Sequence, residues 1–91
     1  MNITVVYSAQ AQDAAGTVRE TIPVESASLE RLLLDLCQRH GEALKKLLLD
    51  AQGRIHPSVL LAVDDEVVPS PAGFSLRDQQ TVTILPPIAG G

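Results

Sequence analysis

The chain closes with Thr81-Val82-Thr83-Ile84-Leu85-Pro86-Pro87-Ile88-Ala89-Gly90-Gly91. Its first four residues, up to Ile84, alternate polar and apolar side chains, which is typical of a β-strand with one buried face. Proline lacks a backbone N–H and has a fixed φ, so Pro86 and Pro87 end sheet pairing and hold the chain extended beyond the strand. The stretch therefore predicts a final strand that runs directly into an extended exit.

No side chain after the two prolines can perform chemistry, so we expect the reactive group to be the terminal carboxylate of Gly91. Ile88, Ala89 and Gly90 would thread into a partner's active site, because glycine has no Cβ and fits a channel too narrow for branched residues. A frayed terminus is the alternative for an isolated Gly-Gly pair, since chain ends are often disordered. The preceding strand and prolines favour the functional interpretation.

Length and composition indicate one globular domain. The 91 residues are 45% hydrophobic and 20% charged, which is ordinary for a folded chain. Tyr7 and Phe74 are the only aromatic residues, so the predicted core is aliphatic. We place the domain at residues 1–87 and a flexible diglycine tail at 88–91. The net charge of −4 and the lack of a basic run argue against a nucleic-acid partner.

The cysteine count and the length of the apolar runs indicate where in the cell the protein is expected to be. Cys37 is the only cysteine, so it can form no intrachain disulfide and no cysteine-rich metal site. The N-terminus lacks the pattern of a signal peptide, and no apolar run is long enough to span a bilayer. We therefore expect no membrane partner and a cytoplasmic location.

Strands are predicted where apolar residues alternate or cluster between turn signals. The predicted strands cover residues 1–7, 17–24, 58–63, 66–68 and 81–85, and residues 8–16 are predicted to form a loop. The first strand is apolar on both faces, which suits an interior position in a sheet.

The most secure helix follows Ser28. The hydroxyl of Ser28 is a suitable N-cap, Glu30 favours the first turn, and Gly41 suits the position just after the helix. Apolar residues recur at the helical spacing along one face: Leu29, Leu32, Leu33, Leu36 and Cys37. A second, shorter helix is predicted over residues 42–49, with a turn at 50–53.

This order predicts an α+β fold. The first and last strands are both apolar and can lie in parallel at the centre of a mixed four- or five-stranded sheet, with the main helix across one face. A short second helix completes this arrangement, which is the β-grasp (ubiquitin-like) plan. Such a plan delivers the C-terminus from a central strand into solvent.

Over nearly its whole length the sequence resembles the ubiquitin-like sulfur carriers of the MoaD and ThiS families. The most specific match is the ending, a strand followed by Pro-Pro, two residues and Gly-Gly. Tyr7-Ser8-Ala9 with Gly16-Thr17 and the turn at 50–53 are similar to the MoaD-like branch. Two departures are the absence of a basic residue in the first loop and the sequence Asp78-Gln79-Gln80 in place of a glycine-containing turn.

The resemblance implies a carrier without catalytic groups or a cofactor of its own. A MoeB/ThiF-type activating adenylyltransferase would use ATP to adenylate Gly91, and a sulfurtransferase would then convert it to a thiocarboxylate. As the small subunit of molybdopterin synthase, the chain would donate this sulfur through the large subunit in molybdenum-cofactor synthesis. Thiamine, cysteine, secondary-metabolite or tRNA thiolation pathways are alternative destinations.

Two other classes of function are also compatible with the sequence. A ubiquitin-like modifier would use the same tail but join Gly91 to lysines of other proteins. A β-grasp interaction module would tolerate loss of Gly91.

Partner docking through the exposed sheet face and the tail would involve Phe74, Leu85, Pro86 and Pro87. Phe74 could equally belong to the core.

The remaining reactive side chains have structural interpretations. Cys37 falls on the leucine face of the helix, where a buried thiol is inert. His40 is expected to be a surface residue at a helix C-terminus, and His56 has no second ligand at metal spacing, so no metal site is predicted. The acidic residues 64–66 are expected to form a solvated turn.

Overall fold

A parallel pair of strands forms the centre of the computed structural model, which describes residues 1–86. Within that range the chain forms five strands and three helices. In chain order they are β1 (Asn2–Tyr7), α1 (Gln10–Ala15), β2 (Arg19–Pro23), α2 (Leu29–His40), α3 (Glu42–Leu48), β3 (Leu60–Val63), β4 (Glu66–Val68) and β5 (Thr81–Leu85).

The strands form a single sheet in the order β2-β1-β5-β3-β4. β1 and β5 are parallel, with Val5 opposite Val82, and every other neighbouring pair is antiparallel. The three interior strands β1, β5 and β3 are all largely apolar, because only interior strands are shielded by neighbours on both edges. This mixed sheet confirms the predicted β-grasp fold.

Helix α2 covers one face of the sheet, and its ends lie where the sequence predicts them. The Ser28 hydroxyl accepts a hydrogen bond from the Arg31 N–H at 3.1 Å, which satisfies one of the free donors of the first turn. Gly41 follows with a φ of 84°, a conformation that glycine adopts without a steric penalty. The chain therefore turns at once into α3.

The core lies between α2 and the inward face of the sheet. All five residues of the predicted apolar face of α2 are buried, and β1 and β5 contribute every second side chain. The largest side chains that are almost completely buried are Tyr7, Ile3, Leu29, Leu32, Leu33, Leu36, Leu44, Leu48 and Ile84. Tyr7 supplies the only fully buried aromatic ring in the described part of the chain, so the core is aliphatic, as the composition predicts.

Residues 8–16 differ from the sequence-based prediction. The predicted loop contains the short helix α1, whose Ala11 is completely buried. Alanine and glutamine favour helices, but a six-residue helix is unstable alone and depends on packing, here against α3. The helix ends at Gly16, which has a φ of 74°, a left-handed conformation that glycine adopts without a steric penalty.

Two strands also begin two residues later than predicted. β2 begins at Arg19 instead of residue 17, and β3 begins at Leu60 instead of residue 58. In the second case a local turn competes with the sheet, because His56 accepts hydrogen bonds from Val59 through its carbonyl and from Ser58 through Nδ1.

The β3–β4 hairpin closes through Asp64 and Asp65, which have φ values of 49° and 71°. This is the pattern of the tight two-residue turn that matches sheet twist. Asp64 is more than the solvated turn residue expected from the acidic run. Its carboxylate accepts hydrogen bonds from the Thr81 N–H at 2.9 Å and from Gln80 Nε2 at 3.1 Å, so it ties the hairpin to the start of β5.

Gln79 has a φ of 69°, at the position where the resembling family has a glycine-containing turn. A side chain in this left-handed region is strained, and glycine is not. Gln79→Gly removes this strain but makes the unfolded chain more flexible, and we expect the first effect to be larger. A urea titration should therefore show a free energy of unfolding that is higher by about 0.5–1 kcal/mol. Gln79→Ala is the matched control and should stabilise nothing.

Candidate functional site at the end of the last strand

The end of β5 lies between two neighbouring strands. The Ile84 carbonyl accepts a hydrogen bond from the Ser8 N–H at 3.1 Å, and Leu85 lies opposite Leu60 of β3. Leu85 is half-buried and Pro86 is buried. The described chain therefore reaches its exit from the middle of the sheet, held on both sides.

Several of the predicted site residues follow this point. Pro87, Ile88, Ala89, Gly90 and Gly91 lie outside the described residues, as does the predicted boundary between domain and tail. Their roles stay predictions.

The sheet face opposite α2 is covered by no other element of residues 1–86. We call it the open face; it consists of Thr4, Val6, Arg19, Thr21, Leu60, Ala62, Val67, Thr81, Thr83 and Leu85. Leu60 is 57% exposed and Val67 is 72% exposed, next to the small side chain of Ala62. Large exposed aliphatic side chains beside small ones form a flat apolar surface of the kind that docks proteins.

Phe74 lies at the β4 border of the open face, where it lines the same depression as Val67. Phe74 is half-buried against the core and lines a depression of about 200 Å³ with Gln80 and Arg77. Its carbonyl accepts from the Leu29 N–H, at the start of α2. Leu85 and Pro86 lie together at the exit from β5, whereas Phe74 lies near the opposite end of that strand.

A buried polar cluster connects the end of β1 to β2 and α2. The Tyr7 hydroxyl donates to the Glu20 carboxylate at 2.6 Å, and His40 Nε2 contacts the same oxygen at 2.5 Å. Arg39 Nε lies 3.3 Å from the other oxygen, and the Tyr7 and His40 rings meet edge to face with centroids 5.7 Å apart. Because Tyr7 lies opposite Ile84, the cluster fixes the strand that flanks the exit.

The prediction that His40 is a surface residue was wrong. Its side chain is only 14% exposed and contacts the Glu20 carboxylate on the inward face of the sheet. Glu20 was not identified from the sequence either. Its position two residues before the buried Ile22 on β2 places it on the inward face, and that is the signal a reader could have used.

The cluster changes two acidities. Burial raises the pKa of the Tyr7 phenol, and the adjacent Glu20 carboxylate raises it further. Burial alone would raise the pKa of Glu20, but hydrogen bonds from Tyr7 and His40 and the positive charge of Arg39 outweigh it, so the pKa is lowered. Both shifts keep Tyr7 a donor and Glu20 a charged acceptor near neutral pH.

We expect Glu20→Gln to lower the free energy of unfolding at pH 7 by about 1–3 kcal/mol, because three donors lose a charged acceptor. The folded-state pKa of Glu20 lies below the ordinary value of 4.5, so this stabilisation is complete above that value. It disappears as the pH falls through the folded-state pKa. Denaturant titrations between pH 7 and pH 3 should therefore show the two proteins converging in acid.

Glu25→Gln is the control for this prediction. Glu25 follows the same strand but is exposed, and it forms no ion pair within residues 1–86. A loss of stability at Glu20 that did not vary with pH would contradict the electrostatic explanation.

Other reactive groups offer no second site in the described part of the chain. Cys37 is buried, and that burial raises the pKa of its thiol. Within residues 1–86, no three side chains of His, Cys, Asp or Glu gather closely enough to hold a metal ion. None of the helices in that range is long and apolar enough to cross a membrane.

Comparison with known proteins places this geometry among small β-grasp chains. The sequence model of the ThiS family matches residues 5–91. No curated protein is similar enough in sequence to count as a relative.

Three solved structures show how widely the fold is shared. SAMP1 from Haloferax volcanii superposes with a TM-score of 0.86 at 18% identity, covering 100% of both chains. The small archaeal modifier protein 1 from Methanosarcina acetivorans gives 0.80 at 23% identity, covering 99% of this chain and 96% of its own. A molybdopterin converting factor subunit 1 from Pyrococcus furiosus gives 0.73 at 25% identity, covering 96% and 98%.

Proposed function

Because the chain belongs to the ThiS family, within the ubiquitin-like sulfur carriers and modifiers, we propose that it carries sulfur as a thiocarboxylate on Gly91. The observation that supports this most directly is the position of β5. This strand is held on both sides and is followed at once by buried Pro86, so the tail starts from a fixed point at the edge of the open face.

The chemistry of such a carrier proceeds in two steps. A carboxylate oxygen of Gly91 attacks the α-phosphorus of ATP in a MoeB/ThiF-type activating adenylyltransferase, and pyrophosphate leaves. Sulfide then attacks the acyl carbon, and AMP leaves to give the thiocarboxylate. Where a sulfurtransferase supplies the sulfur as a persulfide, the first product is an acyl disulfide, and a thiol cleaves its S–S bond to release the thiocarboxylate. Adenylation is needed because a free carboxylate is a poor electrophile, whereas the tether raises the effective concentration of the reacting group.

The protein itself takes part as a bound substrate. Its folded part provides the docking surface, for which we propose the open face, which includes Leu85, together with Pro86. Leu60 and Val67 are the apolar anchors of this surface, and Ala62 and Thr83 between them are small enough for close approach. Catalytic groups would come from the activating enzyme.

Within this role we favour molybdenum-cofactor synthesis, with the chain as small subunit of molybdopterin synthase in the cytoplasm. The similarity to the Pyrococcus furiosus molybdopterin converting factor subunit 1 and the MoaD-like turn at residues 50–53 support this destination. The sulfur acceptor would then be the large subunit, which acts on a pterin precursor.

A second candidate function is protein modification. The similarity to two small archaeal modifier proteins favours it, and the same acyl-adenylate serves both chemistries. In a modifier, a lysine amine of another protein attacks the acyl carbon and an isopeptide bond forms as AMP leaves. The two functions therefore differ in the nucleophile and not in the tail.

The deciding experiment is an intact-mass measurement. The protein is incubated with the activating enzyme of its own host, ATP and a sulfide source, and a chain lacking Gly91 serves as control. We expect a mass increase equal to the replacement of one oxygen by sulfur, absent from the control. Isopeptide conjugates without the thiocarboxylate would favour the modifier, and no product with any host activating enzyme would contradict both.

A further inference from the structure

The outer edge of β2 carries backbone groups that pair with nothing else in residues 1–86. Hydrogen bonds between β1 and β2 join Met1 to Val24 and Tyr7 to Val18, so the bonded positions of β2 are the even-numbered ones. The backbone N–H and C=O groups of Arg19 and Thr21 and the carbonyl of Pro23 therefore point away from the sheet. An exposed edge of this kind is a template for another strand.

Two positions of this edge differ from the rest. The Arg19 carbonyl accepts a hydrogen bond from the Thr17 hydroxyl at 2.9 Å, so this acceptor is already satisfied. Pro23 has no N–H, so it can offer only its carbonyl. The groups left for a partner are the two N–H groups of Arg19 and Thr21 and the two carbonyls of Thr21 and Pro23.

We propose that two copies of this chain pair through β2, antiparallel, with Thr21 on the two-fold axis. In this register Thr21 exchanges two hydrogen bonds with its counterpart, and each Arg19 N–H donates to the Pro23 carbonyl of the second copy. Pro23 has no N–H to donate to the Arg19 carbonyl of the second copy, and that carbonyl needs no donor because it already accepts from the Thr17 hydroxyl of its own chain. Every outward backbone group of the edge is thus satisfied. An unrelated extended peptide would achieve this only if it also lacked an N–H opposite the Arg19 carbonyl.

The charges near the two ends of the edge are compatible with the same register. Arg19 and Glu25 are exposed and form no ion pair within the described residues. Arg19 begins β2, whereas Glu25 follows its end and lines the groove between β2 and α2. Antiparallel pairing therefore brings the positive end of each edge beside the negative end of the other.

The helix-bearing side of the edge raises no electrostatic obstacle. A groove of about 740 Å³ separates β2 from α2, and its charged walls would face those of the second copy. Arg31 lies 3.1 Å from Asp35, and Arg39 lies 3.3 Å from Glu20, so each guanidinium is already paired in its own chain. The α2 wall is therefore neutralised, and the remaining groove charge, Glu25, lies at the end of the edge that faces the Arg19 end of the second copy.

The geometry of the pair leaves the carrier site free. An antiparallel pairing with both open faces on the same side has its two-fold axis along the sheet normal, so the two β5 strands end in opposite directions. Each tail would then meet its own activating enzyme. The pairing goes beyond the proposed function, and either could fail without the other.

The interface is small, because each copy contributes one edge of five residues. It falls at the weak end of specific interfaces, and we expect a dissociation constant of roughly 0.1 mM. The experiment therefore needs the full-length protein at concentrations from about 10 µM to about 1 mM.

Sedimentation equilibrium and amide hydrogen exchange by NMR test the proposal together. We expect the average mass to approach two chains at the top of the range, while exchange slows at Arg19 and Thr21. The amides of Glu20 and Ile22 are internal controls, since they bond to β1 at any concentration. A single-chain mass throughout, or concentration-dependent changes at Leu60 and Val67 instead, would overturn it.

Three variants sharpen the result. Thr21→Pro removes the central donor at an edge position where proline is tolerated, and should weaken pairing at least tenfold. Thr21→Val, which keeps the backbone N–H, should pair like the natural chain. Pro23→Thr restores a donor opposite an occupied acceptor and should change the dissociation constant less than about twofold; a large gain would mean that Pro23 only protects the edge, and would overturn the proposed register.

Discussion

Removal of Gly91 is expected to lower the rate at which the activating enzyme releases pyrophosphate by at least about 100-fold, without unfolding the protein. Deleting one residue withdraws the reacting carboxylate by about 3.5 Å from the position that the docked domain gives it. Because β5 fixes the start of the tail, the folded part cannot shift to compensate. Adding one residue after Gly91 should have an effect of the same size.

The variant must remain folded for this result to bear on function. Within residues 1–86 the buried hydrophobic core extends from Ile3 to Ile84, so we expect the free energy of unfolding to change by less than about 0.5 kcal/mol. Gly91→Ala separates shape from length, since it keeps the carboxylate but adds a Cβ, and an intermediate loss is expected if the channel is narrow. Full activity of the shortened chain would leave only the interaction-module hypothesis.

Leu60→Asp should reduce kcat/KM for activation about 30-fold, mainly through a higher KM for the carrier. Leu60 lies on the open face beside the exit and is opposite Leu85. A carboxylate there would be desolvated on docking without a partner, which costs free energy only in the complex. Since 57% of Leu60 is exposed in the free protein, the fold should lose little stability.

Val18→Asp is the matched control for this variant. Val18 is 56% exposed but lies opposite Tyr7, on the helix-bearing side of the sheet. Steady-state kinetics of pyrophosphate release for the two variants should differ clearly. Equal losses would assign the effect of Leu60→Asp to general charge and not to the open face.

The polar cluster shows where sequence reasoning stops. The sequence predicts that α2 ends before Gly41, which is correct, and that a strand covers residues 17–24, of which the structure has Arg19–Pro23. The sequence does not show that Glu20 and His40 meet, because they are twenty residues apart and their contact depends on how α2 crosses the sheet. Partners that are distant in sequence follow from tertiary packing.

Residue patterns alone determined the elements whose signals are local. The helix α2 is marked by Ser28, a leucine repeat and Gly41, and β4 and β5 have the predicted bounds because turn residues or proline adjoin them. The central parallel pair followed from apolar residues on both faces of β1. These features were predictable because capping, periodicity and proline act within a few residues.

Only the tertiary structure decided the rest. Helix α1 forms because α3 covers Ala11, and a six-residue helix has too little stability of its own. The open face and the β2 edge exist because no other element of residues 1–86 covers them. The Arg19 carbonyl accepts a hydrogen bond only because the chain bends at Thr17. Such features arise from burial and from hydrogen bonds left over after folding, which no local pattern encodes.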